Sequence, residues 1–481
     1  MLEAQSHKYI KIISKNLSFS FPHDLTLTRL VARSLRRKDN ALISFCPEEN
    51  DFWWLAILIP ICLQPNDVVL VLSKTQRHYI LEKLIPLLNE EGLYLLFCDV
   101  NTPLIDEKLW IFDYSQFTSY YLGNDLQNKR LIFPEAACLS ERLGDELMIR
   151  IKPEDWFILA KSYPIYSELI LNFYQKFGKK LFINSTLKSS EIRIDFSEMI
   201  ELIDLLVKLE NLPNPWRYFL NIKKDIWATW ATLDYKNLNL NLYLRPIEPF
   251  NYFRNTFNKN SCIFLNNASH ENKLLDELHR VNLSLDIKVT LSNPINKKPF
   301  YLYIPSFQPS PNSEIFSNHL LTQSRRLIIG VSGLSILLVD DSYLRNRLST
   351  ELAAEFGKRV DNENASPKVN GVIFCRYLWW LKHKDKLPIP SQLIIAILPF
   401  PSLSSPVVSE SVRQYKKRGE DWFRDFLLPE VLNTLPSIVR PLRINSGRLA
   451  ILDGRLRSRS WGYKVFKVLE PWIPIQRLLP E

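Results

Sequence analysis

The chain has 481 residues, 46% hydrophobic and 23% charged, which suits two to four globular domains at roughly 100–200 residues each and excludes a disordered or fibrous protein. Twelve glycines occur, none before Gly92 and none in a Gly-Lys-Ser or Gly-Lys-Thr triplet; a loop that wraps a phosphate needs glycine for its amides to converge, so a standard P-loop or dinucleotide fingerprint is excluded. The 61 Lys+Arg against 51 Asp+Glu, net +10, favour polyanionic partners, nucleic acid or an anionic membrane surface, with a solvated basic surface as the alternative.

In chain order, residues 1–24 read as an N-terminal extension whose polar start lacks the apolar core of a signal peptide. Ala41–Phe45 and Val68–Leu72 read as fully buried strands. Between them, Trp53–Leu63 reads as a buried helix broken near Pro60. The apolar run Phe52–Leu63 is too short to span a bilayer, which takes about 18 residues or more. Gln76–Leu88 carries Tyr79, Ile80, Leu84 and Leu87 at helical spacing, and further strands are expected at Leu93–Cys98, Leu109–Phe112 and Leu131–Phe133. Such alternation predicts a parallel sheet covered on both faces over 25–150. From 151 to 255, helical patterns (Ile200, Ile203, Leu206, Val207) and crowded aromatics (Trp216, Trp227, Trp230, Tyr235) predict a helical insertion. The first α/β domain resumes over 256–310, with a strand at Ser261–Leu265 and a proline-bearing linker at 305–313.

The second α/β domain is expected over 311–481, with strands at Leu334–Val339, Gly371–Cys375, Leu393–Leu398 and Leu449–Leu452. Its helix after Val339 is expected to have Ser342 as cap, a stripe of Leu344, Leu348, Leu352 and Phe356, and Gly357 past its end. Six cysteines (Cys46, Cys62, Cys98, Cys138, Cys262, Cys375) contain no Cys-x-x-Cys pair, so no local zinc or iron–sulfur site is expected. Scattered thiols suit a reducing compartment, and a soluble, cytoplasmic protein is the expectation.

The second half also carries a set of motifs. They are Leu393-Ile394-Ile395-Ala396-Ile397-Leu398-Pro399-Phe400-Pro401-Ser402 with Pro406, then Asp421–Glu430, then Arg440-Pro441-Leu442-Arg443, then Gly447–Leu456. In order and spacing these resemble segments of DinG/XPD-type DNA helicases of superfamily two, the helicase C-terminal domain family. Residues 40–150 resemble the family more weakly, and 151–255 not at all. The resemblance implies two RecA-like domains, ATP with magnesium at their interface, and single-stranded nucleic acid across the top.

Carried over residue by residue, the family's chemistry largely fails. The Walker A counterpart is Cys46–Trp54, with Trp53 where the phosphate-binding lysine belongs and Trp54 where the magnesium-binding threonine belongs. Its residues alone agree, having no glycine, no cation and three carboxylates, Glu48, Glu49 and Asp51. Like charges beside a triphosphate cost on the order of a kcal/mol or more each. An exposed acidic turn explains these carboxylates, with metal binding as the alternative. The Walker B counterpart, Leu131–Ala137, has Pro134 for the metal-binding aspartate and Ala137 for the histidine. Glu135 stands at the position of the water-activating base, or is simply a helix-start carboxylate. Asn266-Asn267-Ala268-Ser269 replaces Ser-Ala-Thr, and Trp380–Asp385 replaces the Trp-Glu-Gly-x-Asp motif without its glutamate and glycine. Arg440 and Arg443 match the motif-six arginines that reach the γ-phosphate, with Pro441 between them and Pro436 where a glutamine belongs. An iron–sulfur domain needs four cysteines between the first two motifs, where only Cys62 and Cys98 lie, and none is expected.

The expected fold is therefore α/β, two RecA-like parallel-sheet domains with a helical insertion in the first. The expected function is a helicase-like nucleic-acid-binding protein without ATPase activity and without a cofactor. ATP and magnesium enter only under the alternative of an active helicase with divergent motifs; a protein-interaction scaffold is the third reading. The expected partner is single-stranded nucleic acid, with a protein partner second and no membrane. Candidate contacts are Lys74 and Thr75, in the place of the family's motif Ia, and Arg448, Arg455, Arg457 and Arg459. From Arg440 to Arg477 nine basic residues face two acidic ones, +7 of the chain's +10, and a solvated basic face is the competing explanation.

Overall fold

The runs Ala41–Phe45 and Val68–Leu72 offer no polar face to water, and both are strands buried along their whole length, as parallel strands covered on two sides must be. The computed structural model describes residues 1–16, 23–45, 53–98, 108–123, 127–184, 191–220, 222, 226–234, 239–267, 271–291, 298–475 and 478. The chain divides into one unit of Met1–Pro294 with Ser402–Gly419 and a second of Ile295–Pro401 with Glu420–Glu481.

Along the first unit run β1 (Ala41–Phe45), β2 (Val68–Leu72), β3 (Phe97–Cys98), β4 (Leu109–Asp113), β5 (Arg130–Phe133), β6 (Ile149–Ile151), β7 (Glu191–Arg193), β8 (Trp227–Asp234), β9 (Asn239–Pro246), β10 (Ser261–Asn267) and β11 (Ile287–Leu291). Seven of these form a parallel sheet in the order β11-β1-β10-β5-β2-β4-β3. The second unit carries β12 (Phe300–Tyr303), β13 (Ser335–Leu338), β14 (Val360–Asn362), β15 (Val372–Cys375), β16 (Gln392–Ile395), β17 (Arg448–Ile451) and β18 (Trp472–Ile475). They too form one parallel sheet, in the order β14-β15-β13-β16-β17-β12-β18. The fold is α/β with two RecA-like sheets.

Several local expectations are corrected. The insertion has helices at Pro153–Ser162, Ser167–Asn184 and Ile200–Val207, and also an antiparallel sheet ordered β6-β9-β8-β7. Its signal is the alternation Asn239-Leu240-Asn241-Leu242-Tyr243-Leu244, whose burial switches residue by residue, the period of a strand rather than a helix. Trp227 and Trp230 lie on β8, and Tyr235 falls outside the described residues. The helix Trp53–Leu63 runs unbroken through Pro60. It is buried on all sides because the helices Leu2–Asn16 and Asp24–Arg37 share its core through Ile10, Ile13, Leu27, Val31 and Leu35, so it has no polar face to keep.

The helical stretch from Lys74 to Glu90 contains a wide turn at Ile80–Leu84, where the Ile85 N–H reaches the Ile80 carbonyl. Pro86 follows at once; without an N–H it cannot continue the normal ladder, and the wider turn absorbs the break. Of Leu93–Cys98 only β3 is a strand, since it pairs with β4 alone and β4 begins at Leu109. Asp341, not Ser342, caps the helix Ser342–Phe356, its Oδ1 accepting the Leu344 N–H at 2.7 Å. Gly357 ends that helix at φ +59°. Among the described residues no helix is long and apolar enough to cross a membrane.

Candidate functional site

Open α/β sheets bind ligands beyond the carboxyl ends of their strands, so those ends are the places to look in each unit. In the first unit, β1 leads through 46–52 to the helix that opens at Trp53; Cys46, Glu48, Glu49, Asp51 and Phe52 fall outside the described residues. Trp53 and Trp54 are 7% and 3% exposed. Their rings stack at 4.3 Å, and Phe45 at the end of β1 tilts against Trp53 at 5.2 Å. Alongside, Ser44 pairs in register with Asn266 of β10. The Ser44 hydroxyl and both amide atoms of Asn266 are buried without a hydrogen-bond partner, polar groups of a kind that buried water satisfies. Ala268 and Ser269 lie outside the described residues.

Glu135 follows β5 and is held by Arg142 of the helix Leu139–Glu146, Nη2 to Oε2 at 2.9 Å. Arg142 in turn lies over the Tyr114 ring at 5.2 Å. Burial pushes the Glu135 carboxyl above the ordinary range, with Arg142 opposing. Burial likewise raises the Tyr114 hydroxyl. After β2, Ser73 and Gln76 close a reciprocal cap, each side chain accepting the other's backbone N–H, and leave Lys74 and Thr75 exposed. Glu146 stands near Lys74: burial, then Asp113, raise its carboxyl, and Lys74 opposes them. The lysine charge is thus partly countered by a carboxylate neighbour.

In the second unit the nine-fold basic stretch separates into two kinds of residue. Arg443 donates to the carbonyls of Lys298, Leu469, Glu470 and Pro471 and covers the Phe300 ring at 4.7 Å; it ties down the end of the helix Gly462–Leu469. Arg448 donates to Gln392 Oε1 at 2.6 Å and to the Leu327 carbonyl. Burial lowers the pKa of both guanidiniums. Arg455 makes a bidentate pair with the fully buried Asp453 and lies over Phe400 at 4.9 Å. Arg440 is exposed, as are Arg457 and Arg459; Arg477 lies outside the described residues. In Trp380–Asp385, Trp380 is buried with its Nε1 on the Ile438 carbonyl at 3.0 Å, and Lys384 donates to Ser437.

The exposed arginines flank a feature that charge counting misses. A groove of about 850 Å³ runs along β12 and β18, between Leu302, Ile304, Trp472 and Pro474 on one side and the segment Leu456–Phe466 on the other. Arg457 and Arg459 border it, together with Tyr463, Phe466 and Trp472. Gly462, lacking a Cβ, lets the helix Gly462–Leu469 start directly against the Leu456 carbonyl. The signal was present as aromatics interleaved with arginines in 455–472. Arg142, the other residue missed, follows Glu135 across a bend and a short helical turn that no periodicity marks.

No family model matches the chain, and no curated protein matches it. Solved structures do. Xpd4 of S. tokodaii matches 95% of this chain over 100% of its own length, at 14% identity and a TM-score of 0.58. An XPD helicase does so at 11% identity and a TM-score of 0.59, and an apo XPD structure at 13% and 0.56 over 94% of this chain. The chain therefore shares the fold of these XPD structures.

Proposed function

We propose that this protein is a nucleic-acid-binding relative of the XPD-type helicases that has lost the ATP-driven motor. The observation that carries the reading is the buried, stacked pair Trp53–Trp54 at the start of the helix after β1. In a phosphate site a helix start offers free amides and a nearby cation to the anion; here the first two residues of the helix are buried indoles, and the helix carries no cation. The residues do not fit ATP with magnesium. The orphaned polar atoms of Ser44 and Asn266 carry no charge, and 46–52 contains no glycine and no cation. Pro134 cannot hold a metal, and Glu135 is engaged by Arg142. The free thiols of Cys62, Cys98, Cys138, Cys262 and Cys375 suit a reducing, cytoplasmic setting.

Binding of single-stranded nucleic acid rests on the fold, the basic balance and the exposed Lys74, Arg457 and Arg459. Backbone contacts of this type give affinity with little sequence information. The test is a titration of a labelled single strand at several salt concentrations, without nucleotide. Binding should be present at low salt and weaken steeply as salt rises; no binding at low salt overturns the reading. One observation favours a scaffold as second reading: Phe157, Ile158, Ile165 and Leu169 of the insertion are 50–90% exposed, large apolar side chains of the sort that protein partners cover.

A further inference from the structure

The geometry points to the groove along β12 and β18 as a stacking site for the bases of single-stranded nucleic acid, with Arg457 and Arg459 holding the backbone beside it. This rests on the nucleic-acid reading above and adds to it a location and a mode of binding.

Three observations carry it. The volume of the groove, about 850 Å³, is in the range of ligand sites, about 300–1,000 Å³. Its wall presents aromatic faces. Tyr463 is 63% exposed, and Trp472 is fixed by its Nε1 donating to the Phe466 carbonyl at 3.2 Å and by its ring against Phe466 at 5.8 Å. An aromatic ring already held in place loses little freedom when a base stacks on it. Its charge is one-sided: the described residues lining it include Arg457 and Arg459 and no carboxylate. Arg457 is anchored by donating to the Ile304 carbonyl at 3.0 Å, which aims a cation at the rim without neutralising it. Aromatic faces for bases beside cations for phosphates is the combination that binds single strands without reading sequence.

The same wall argues against a peptide strand as occupant. β18 is the edge of its sheet, and Pro474 within it removes a backbone donor that strand addition would need.

The experiment uses the full-length chain, a labelled oligothymidylate, and an abasic strand of equal length with the same phosphates. Tyr463→Ala should weaken oligothymidylate binding about tenfold, the scale of one lost stack, and leave the abasic strand's affinity unchanged; Tyr463→Phe should restore wild-type binding. Arg457→Ala should weaken both strands and make the salt dependence shallower by about 0.7. Wild-type oligothymidylate binding that Tyr463→Ala leaves intact overturns the groove while the nucleic-acid reading stands. Equal losses on both strands after Tyr463→Ala overturn the stacking mode. Absence of binding by the wild type to either strand overturns the proposed function and the groove together.

Discussion

The two parallel sheets of this chain are covered differently. Beyond β1 of the first unit, Trp53 and Trp54 stack on each other under helices that share their core, and the half-buried Glu135 is paired with Arg142. Along β12 and β18 of the second unit lies an open groove with exposed Tyr463, Arg457 and Arg459. One sheet is covered by packed core at this helix start, and the other keeps an open surface. The fold supplies the location of a site, and the side chains decide whether it is used.

The largest effect should come from the packed end. Trp53→Ala removes a buried indole and its stack, and the protein should lose about 3–5 kcal/mol in urea unfolding, as large-to-small core changes do. A change within about 0.5 kcal/mol would mean that the ring is a surface feature, and the contrast between the two sheets would vanish.

The next pair separates structural from ligand-facing arginines within the second unit. Arg443→Ala leaves four backbone carbonyls without their donor and should cost about 1–3 kcal/mol with oligonucleotide affinity unchanged. Arg457→Ala should do the reverse, holding stability within about 0.5 kcal/mol while weakening strand binding. Binding lost in Arg443→Ala without loss of stability would place the ligand on the wrong arginine.

The smallest effect concerns Glu135, whose carboxyl burial raises against the pull of Arg142. A raised value means the folded chain keeps a proton that the unfolded chain has released. Its stabilising contribution is complete below the unfolded value, about pH 4.3, and is lost as pH rises through the folded one. Wild type should therefore lose melting temperature relative to Glu135→Gln as pH rises from about 4.3 through the raised folded value. The opposite slope would mean that the Arg142 pair outweighs burial.

Both parallel sheets were legible because parallel strands buried on two faces are continuous apolar runs, as in Val68–Leu72 and Leu393–Leu398. The insertion's sheet is hard to see in the sequence because helical spacing at 200–207 and crowded tryptophans stand beside a single period-two alternation at 239–244. The site was legible as composition but not as contact. Trp53 and Pro134 stand out in the sequence as replacements of charged residues, yet the stretch after Arg440 reads as uniformly basic. Arg443, Arg448 and Arg455 turn inward to carbonyls, Gln392 and Asp453, partners 26, 56 and 2 residues away in sequence. Only folding brings the two distant ones into reach, and charge counting is blind to it.

The central claim, that the nucleotide position of the first unit is filled by protein, is tested most directly by equilibrium binding of ATP with magnesium to the purified full-length chain. The account predicts no saturable binding and no phosphate release, with or without a single strand. Micromolar affinity for ATP, or strand-stimulated phosphate release abolished by Glu135→Gln, would contradict it.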